Sequence, residues 1–228
     1  MSRSPVDPKA LKAAQHLVSE GGLRLPRQRL LAPAELAAKR LLGAILEHDT
    51  PLGTVRGRIV ETEAYAQHDA ASHSCRGITE RTRPMFGAPG HAYIYRSYGI
   101  HLCMNITCGK VGFGAAVLVR ALEPLAGLEV MAELRGLAES FAHAGSRAAT
   151  TRKLCQGPGN LSRALGLTLG QSGVDLLGHD GPLRLLVGGA VSAQNRAQTG
   201  RVGISVAQEV PWRFFERGSP FVSASRRA

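Results

Sequence analysis

Apolar and polar residues alternate along much of the chain, which is the pattern of half-buried β-strands. Most of these segments are bounded by glycine, proline, asparagine or aspartate, the residues that favour turns. Two of them flank the short segment Ser97-Tyr98-Gly99, which predicts a tight hairpin. The predicted strands span residues 44–48, 54–63, 92–96, 100–107, 115–121, 183–187, 201–207 and 213–215.

Three segments predict helices from their spacing of apolar residues, namely residues 34–43, 124–139 and 160–166. The first two segments begin at or directly after a proline, and the first is rich in strong helix formers. The third carries Asn160 as a cap, while Gly43 and Gly166 end the first and the third. Residues 65–90, with several prolines and glycines, and the basic segment 146–159 predict loops.

Because strand residues outnumber helical ones, we expect an α+β fold. It should be a single domain with a curved, barrel-like, mostly antiparallel β-sheet flanked by helices. A chain of 228 residues suits one domain, which we expect at residues 29–228. Residues 1–28 predict a basic leader, partly helical and partly disordered, without the apolar run of a secretory signal. With no run of about 18 apolar residues, we expect no membrane span and a cytoplasmic location.

The charge of the chain points to a polyanionic partner. Lys and Arg total 28 against 17 Asp and Glu, which gives a formal net charge of +11. Basic side chains release counterions from nucleic-acid phosphates, although a basic protein need not have such a partner. The cysteines contain no CxxC pair and so predict no zinc site but reduced thiols. They are Cys75, Cys103, Cys108 and Cys155.

Two glutamates lie on the second predicted strand. Strict alternation places Glu61 and Glu63 on the same face as Val55 and Ile59, which is otherwise apolar. A carboxylate on such a face loses its hydration and needs a partner. The sequence therefore predicts a functional role for at least one of the two, unless the strand frays and both are solvated.

The four tyrosines of the chain lie close together in the sequence, at Tyr65, Tyr93, Tyr95 and Tyr98. Tyr93 and Tyr95 share one strand face, and the group can be a platform on which flat bases stack or a local aromatic core. Tyr98 lies at the predicted hairpin tip, where an aromatic ring is hard to explain as core. A ring there can instead wedge into a base stack and fill the gap left by an extruded nucleotide.

Asn105 and Arg120 each lie in a predicted strand among apolar neighbours. The amide of Asn105 can read a base edge, or it can satisfy local backbone groups. Arg120 can bind phosphate or a stacked ring, or it can pair with a glutamate. The glycines of residues 156–159, after a basic segment, can place backbone N–H groups against a phosphate, but any tight turn would also use them.

From about residue 36 to residue 222 the chain resembles the alkyladenine (3-methyladenine) DNA glycosylase family. The motifs that carry the resemblance occur in the same order along the chain. They are RGRIVETEAY (56–65), AASHS (70–74), MFGAPGHAYIYRSYGIHLCMNI (85–106), VLVRALEPL (117–125), LCQGPGNL (154–161) and RGSPFVS (217–223).

The resemblance implies roles for individual residues. Glu63 matches the glutamate that activates water, and Arg120 matches a residue that holds this water and a nearby phosphate. Tyr65, His73 and Tyr95 match the residues that enclose the flipped base. In this sequence the segment between Tyr65 and His73 is one residue shorter than the family pattern.

Two further positions match the family pattern. Asn105 matches the residue that disfavours an exocyclic amine on purine C2, and Tyr98 matches the intercalating wedge. Directly before this tyrosine, Arg96 and Ser97 replace the more usual aliphatic pair. The matched residues require no metal and no organic cofactor.

The resemblance implies a monofunctional glycosylase that flips alkylated or deaminated purines out of double-stranded DNA and hydrolyses the N-glycosidic bond. We expect a nucleoid-associated monomer that initiates base excision repair. Two other interpretations remain: a nuclease in which Glu61 and Glu63 bind Mg²⁺, and a non-catalytic protein that binds DNA through the aromatic and basic residues. Neither explains why Asn105 and Arg120 accompany the glutamates.

Overall fold

The computed structural model describes residues 22–223, and an antiparallel sheet of eight strands forms its centre. The strands run in the order β3-β4-β5-β2-β1-β6, while β8 pairs with β2 and β7. They are β1 (Ile45–Thr50), β2 (Gly53–Ala66), β3 (Ala92–Ser97), β4 (His101–Thr107), β5 (Ala115–Ala126), β6 (Leu183–Leu186), β7 (Arg196–Thr199) and β8 (Arg213–Glu216). The predicted α+β class and antiparallel sheet are confirmed. A barrel-like closure is not, because β3 and β6, the two ends of the strand order, do not pair with each other in the described residues.

Five short α-helices accompany this sheet in the described part of the chain. They are α1 (Ala34–Leu41), α2 (Leu128–Leu134), α3 (Ala138–Ala142), α4 (Ala144–Leu154) and α5 (Pro158–Ala164). Helix α1 follows Pro33 as predicted, and its buried residues are Ala34, Ala37, Ala38 and Leu41. This i, i+3, i+4, i+7 spacing is that of one apolar helix face packed on a core.

Strand β2 is the longest strand and organises the sheet. One of its edges pairs with β5 along most of its length. The other edge pairs with β1 up to Arg58 and with β8 from Glu61 to Glu63. From Glu61 to Glu63, β2 is therefore paired on both sides and buried, which holds the two glutamates in a rigid frame.

A β-bulge in β2 turns Glu61 and Glu63 away from the main core. Ile59 and Ala64 both belong to that core, although simple alternation would place them on opposite faces. The register with β5 shifts between Ile59 and Glu61, so Val60 has no partner residue. Such an extra residue exchanges the faces of a strand. The prediction that the glutamates share the face of Ile59 is therefore wrong, although both are fully buried.

Strand β5 has a matching irregularity at Arg120. Glu61 pairs with Ala121 and Thr62 pairs with Val119, which leaves Arg120 without a partner residue on β2. The Arg120 side chain reaches both glutamates on the face away from the core. The two irregularities together place three ionised side chains in one buried group.

The hairpin between β3 and β4 has the predicted tight turn. Tyr98 and Gly99 both have positive φ angles, 49° and 70°, and the Ile100 N–H donates to the Ser97 carbonyl at 3.0 Å. Two consecutive positive φ angles are the requirement of a type I′ turn. A non-glycine residue in this left-handed region costs free energy, so Tyr98 is not at this position for backbone stability.

Three predictions of secondary structure are wrong. Pro124 does not start a helix, because it continues β5 opposite Gly57, and the chain turns only at Gly127 before α2. Residues 146–159 contain most of α4 and the start of α5 rather than a loop. Residues 201–207 form bends and turns rather than a strand.

The third predicted helix exists, but Asn160 does not cap it. Helix α5 already begins at Pro158, and the Asn160 side-chain amide donates to the Gln156 carbonyl at 2.7 Å. Gly166 follows the helix with φ 62°, as its predicted role as a stop requires.

The predicted leader at residues 1–28 lies mainly outside the described residues and stays a prediction. Within residues 22–28, Leu25 is buried and Arg27 forms an ion pair with Asp175 at 2.7 Å. Among residues 22–223, no helix is both long enough and apolar enough to span a membrane.

Candidate active site

The carboxylate of Glu63 is completely buried and is held by groups from three different segments. Its Oε1 accepts a hydrogen bond from the Val202 backbone N–H at 2.7 Å and lies 3.2 Å from Nη1 of Arg120. Its Oε2 accepts a hydrogen bond from the Tyr65 hydroxyl at 2.8 Å. Tyr65, Arg120 and Val202 all line a cleft, so Glu63 lies directly below the surface of that cleft.

Glu61 lies two residues away, in a different environment. Its Oε1 accepts hydrogen bonds from Nε of Arg120 at 2.9 Å, Nε of Arg213 at 2.6 Å and the Ser223 hydroxyl at 2.9 Å. Its Oε2 accepts one from the Ser223 backbone N–H at 2.7 Å. We refer to Glu61, Arg120, Arg213 and Ser223 as the buried charge cluster.

Arg120 connects the buried charge cluster with Glu63. Burial lowers the pKa of its guanidinium, but the Glu63 and Glu61 carboxylates more than offset this effect and raise its pKa overall. Arg120 is therefore a permanent cation between two carboxylates. Among the side chains of the cluster, only that of Arg120 also lines the cleft.

The cleft has a volume of about 740 Å³. One wall consists of aromatic rings. His73 and Tyr95 meet edge to face with their ring centroids 4.5 Å apart, and Tyr93 lies 5.5 Å from Tyr95. Nδ1 of His73 is 2.9 Å from the Tyr93 hydroxyl. Tyr93 thus belongs both to the core and to the cleft wall. Its ring packs with Met85 in a small apolar cluster, and its hydroxyl is hydrogen-bonded to His73.

The aromatic residues of this wall are neutral near pH 7. Burial raises the pKa of Tyr93 to about 12 and raises the pKa of Tyr95 well above its usual range. Burial raises the pKa of Tyr65 in the same way, and the Glu63 carboxylate adds to the shift. Burial also lowers the pKa of His73, and the positive charge of Arg81 lowers it further. The cleft therefore offers neutral, electron-rich rings to a flat ligand.

Asn105 lies at the base of this wall and is almost fully buried. Its Nδ2 donates to the Tyr93 carbonyl at 3.0 Å, so the amide does satisfy a backbone group, as one interpretation of the sequence expected. Asn105 also lines the cleft, so this hydrogen bond fixes the orientation of a cleft side chain. The recognition of a base edge by this amide stays a prediction.

Tyr98 lies at the rim of the cleft and is 88% exposed. Ile100, on the other side of the turn, is 70% exposed. Neither side chain gains stability from burial, and the Tyr98 backbone is in an unfavourable region. The hairpin therefore presents a protruding apolar tip, which fits the wedge predicted from the sequence.

Residues 157–160, at the start of α5, form another part of the rim and lie against His101. A Cβ atom on Gly159 would lie only 3.0 Å from the His101 side chain, so glycine permits this close approach. Basic residues near the cleft differ in their surroundings. Arg147, in the predicted basic segment, forms an ion pair with Glu129 at 2.7 Å, whereas Arg96 and Arg81 line the cleft itself.

Sequence reasoning missed several residues that build this site. Val202 holds Glu63 through its backbone, and Asp69 and Arg201 form a buried ion pair beside it. Arg213 and Ser223 complete the buried charge cluster. These contacts join segments more than 130 residues apart in the chain, so local spacing carries no signal for them; only Ser223 lay within a motif of the resemblance.

The arrangement favours proton transfer over cation binding. Donors already occupy both oxygens of Glu61 and of Glu63, and two arginines neutralise the pair. A Mg²⁺ site needs carboxylate oxygens that are free to coordinate, so these glutamates fit it poorly. A buried carboxylate below an aromatic cleft is instead suited to accept a proton from water beside a bound ring.

A family model described as Methylpurine-DNA glycosylase (MPG) matches residues 28–220. The chain therefore belongs to the methylpurine-DNA glycosylase family, whose members are DNA repair enzymes that hydrolyse N-glycosyl bonds. The resemblance found in the sequence is thereby confirmed.

Similar proteins from several organisms carry the name 3-methyladenine DNA glycosylase. The protein from Methanoculleus marisnigri is 46% identical over 189 residues, which cover 82% of this chain and 91% of the relative. The protein from Nitrosospira multiformis is 48% identical over 186 residues, or 82% and 86% of the two chains. The protein from Mesorhizobium japonicum is 40% identical over 216 residues, or 92% and 96%.

Proposed function

We propose that this protein is a monofunctional DNA glycosylase that extrudes alkylated or deaminated purine nucleotides from double-stranded DNA and hydrolyses their N-glycosidic bonds. The observation that carries the proposal is the position of Glu63. Its carboxylate is buried directly below the aromatic cleft and is held by Arg120, Tyr65 and the Val202 N–H. This is the geometry of a general base fixed beside a bound nucleotide.

In the proposed reaction, Glu63 accepts a proton from water while the water oxygen attacks C1′ of the nucleotide. The bond between C1′ and the purine nitrogen breaks, and its electron pair leaves with the base. A base alkylated at N3 or N7 is cationic and becomes neutral as it leaves, which makes it a good leaving group. A neutral deaminated base leaves as an anion and then takes up a proton from solvent water. Arg120, beside Glu63, orients the carboxylate and the water and lies where a phosphate oxygen can approach.

The proposed recognition of the base depends on the aromatic wall. Tyr65, His73 and Tyr95 would enclose the extruded purine, and their neutral rings attract a cationic base more than a neutral one. Asn105, fixed by its bond to the Tyr93 carbonyl, would meet the purine edge. A 2-amino group would meet this side chain, so guanine would be disfavoured.

The proposed DNA contacts surround the cleft. Tyr98 would enter the base stack and fill the space of the extruded nucleotide, while the cationic side chains at the rim would approach phosphates. The net charge of +11 supports a long-range attraction to DNA. We propose that the protein acts as a monomer on the DNA of the nucleoid.

The proposal is tested by base release from a panel of duplexes, each with one 3-methyladenine, 7-methylguanine, hypoxanthine or ethenoadenine, in the presence of EDTA. We expect release of free base from at least one lesion and an intact abasic site as the product. None of the lysines among residues 22–223 lines the cleft, so borohydride should trap no covalent protein–DNA species. Binding without release, or activity that EDTA abolishes, would contradict the proposal.

A further inference from the structure

Asp69 and Arg201 form a buried ion pair beside the cleft that has no role in the chemistry proposed above. Nη2 of Arg201 donates to Oδ1 of Asp69 at 2.9 Å, and Nη1 donates to Oδ2. The two side chains are 3% and 0% exposed, respectively. A buried ion pair contributes little net stability because both charges lose their hydration. The presence of this pair therefore needs a further explanation.

Asp69 organises the turn that forms one wall of the cleft. Its backbone N–H donates to the Ala66 carbonyl at the end of β2, and its own carbonyl accepts from the Ser72 N–H, both at 2.9 Å. Its Oδ1 also accepts from the Ala71 N–H at 3.0 Å. This turn leads directly to His73, so the position of the His73 ring depends on the turn that Asp69 closes.

Arg201 anchors a second wall of the cleft, which consists of residues 202–206. Its Nη1 donates to the Ala64 carbonyl at 3.0 Å, and its Nη2 donates to the Ala207 carbonyl at 3.3 Å. The segment between Arg201 and Ala207 is thus fixed at both ends. Val202, the first residue of this segment, donates its N–H to Glu63 at 2.7 Å.

Arg201 also packs against Tyr65. The centre of its guanidinium lies 4.8 Å from the Tyr65 ring centroid and 5.6 Å from that of Trp212. The hydroxyl of the same tyrosine donates to Glu63. Two of the three groups that hold Glu63, the Val202 N–H and the Tyr65 hydroxyl, therefore depend on Arg201.

We propose that the Asp69–Arg201 pair positions Glu63 and joins the two walls of the cleft. The pair contacts neither base nor water and acts through Val202 and Tyr65, so both members are positioning residues. This inference rests on the proposed function. The charged and titratable groups around Glu63 are Arg120 and Arg201, Tyr65 and Tyr95, and Cys103. Glu61 shares Arg120 with Glu63, and Asp69 balances the charge of Arg201.

The test compares Arg201→Met, Arg201→Lys and Asp69→Asn with a matched control, Arg184→Met. Arg184 also pairs with a buried glutamate, Glu47, but it lies on the sheet edge β6 and does not line the cleft. The measurements are single-turnover base release under saturating enzyme across pH, equilibrium binding of lesion DNA, and the melting temperature.

Arg201→Met should slow base release by about 10²-fold, because a displacement of about 1 Å at the reacting groups has this effect. Lesion binding should change only a few-fold. Removal of a positive charge near Glu63 should also move the acid limb of the pH–rate profile, where the rate falls with decreasing pH, to higher pH. Asp69→Asn should move that limb to lower pH, because Arg201 then acts without its counter-charge. Arg201→Lys should slow release and leave the limb in place.

The control separates positioning from stability. Arg184→Met should lower the melting temperature and leave the rate per folded molecule unchanged. Rates equal to the wild type in the folded fraction of Arg201→Met and Arg201→Lys would overturn the proposal. If Arg201→Met does not fold, an Arg201→Lys rate that matches the control, or an unmoved acid limb in Asp69→Asn, would overturn it. If the wild type releases no base from any lesion, the proposed function fails as well.

Discussion

The buried charge cluster and the aromatic cleft meet at β2, and each contains one glutamate of the same strand. Glu61 is hydrogen-bonded to two arginines and to both the hydroxyl and the backbone N–H of Ser223. Of these partners, only Arg120 lines the cleft. Glu63 is equally buried, but its hydrogen-bond and ion-pair partners in the described residues, Tyr65, Arg120 and Val202, all line the cleft. The two glutamates are alike in residue type and burial, but they differ in the groups that contact them.

This difference indicates how one strand can serve both structure and chemistry. The cluster around Glu61 is closed, so its charges are balanced and its hydrogen bonds are internal. Glu63 lies directly below the cleft, so in the proposed reaction the same functional group exchanges a proton with water beside the bound nucleotide. Substitutions in the cluster should therefore change stability, whereas substitutions in the cleft should change binding and rate.

The largest expected effect is on Glu63. Glu63→Gln keeps the volume of the side chain but removes the proton acceptor, so base release should fall by about 10²–10⁴-fold with lesion binding retained. Single-turnover release of hypoxanthine under saturating enzyme measures this effect. Glu61→Gln is the matched control on the same strand. An inactive Glu61→Gln beside a normal Glu63→Gln would show that the other carboxylate holds the water.

The complementary effect of Glu61→Gln should be on stability. Loss of one partner from a buried ion pair costs about 3–5 kcal/mol, because the remaining charges of Arg120 and Arg213 stay buried. Denaturant unfolding of this variant and of Glu63→Gln would measure the difference. A smaller loss for Glu61→Gln than for Glu63→Gln would remove the distinction between the closed cluster and the open site.

Tyr98 belongs to the cleft and not to the buried charge cluster, so its substitution should change binding and not stability. Tyr98→Ala should leave the free energy of unfolding nearly unchanged, because the ring is 88% exposed. It should weaken lesion binding by about 1–3 kcal/mol, the range for one stacked base. The loss should be smaller when the target base is mispaired, since extrusion then costs less. Equal losses for paired and mispaired targets would contradict a wedge.

The smallest expected effect is the pH dependence of His73. Because its pKa is lowered, the ring is neutral above its ordinary pKa and becomes charged only as the pH falls through the lowered value. The charged ring would repel a cationic base. Binding of 3-methyladenine DNA to Glu63→Gln should therefore weaken at acid pH by about 0.5–1 kcal/mol, while hypoxanthine should be less affected. His73→Gln should abolish this difference.

Local sequence pattern was sufficient for the parts of the molecule that depend on near neighbours. The helix after Pro33, the hairpin at Tyr98 and most strands follow from periodicity and turn residues. Glu63, Tyr65, Tyr95 and Asn105 lie in matched motifs on β2, β3 and β4, and the structure brings them to one cleft. The roles assigned to these residues stay predictions.

The predictions that were wrong concern features that depend on contacts between distant segments of the chain. The bulge at Val60 exists only in the register with β5, so alternation gave Glu61 and Glu63 the wrong face. Pro124 reads as a helix start, yet its pairing opposite Gly57 keeps it in a strand. Residues 201–207 alternate like a strand, but the side chain of Arg201 holds them as a loop through partners far away in the chain.

The Ser223 contacts also bear on the order of events during protein synthesis. Glu61 leaves the ribosome 162 residues before the serine that donates to it. Until Ser223 has emerged, the two arginines around Glu61 lack their last partner, and Arg120 is not yet fixed between the two glutamates. Contacts of such long separation form late in folding. A nascent chain that already contains the whole cleft is thus expected to stay less stable until residue 223 has emerged.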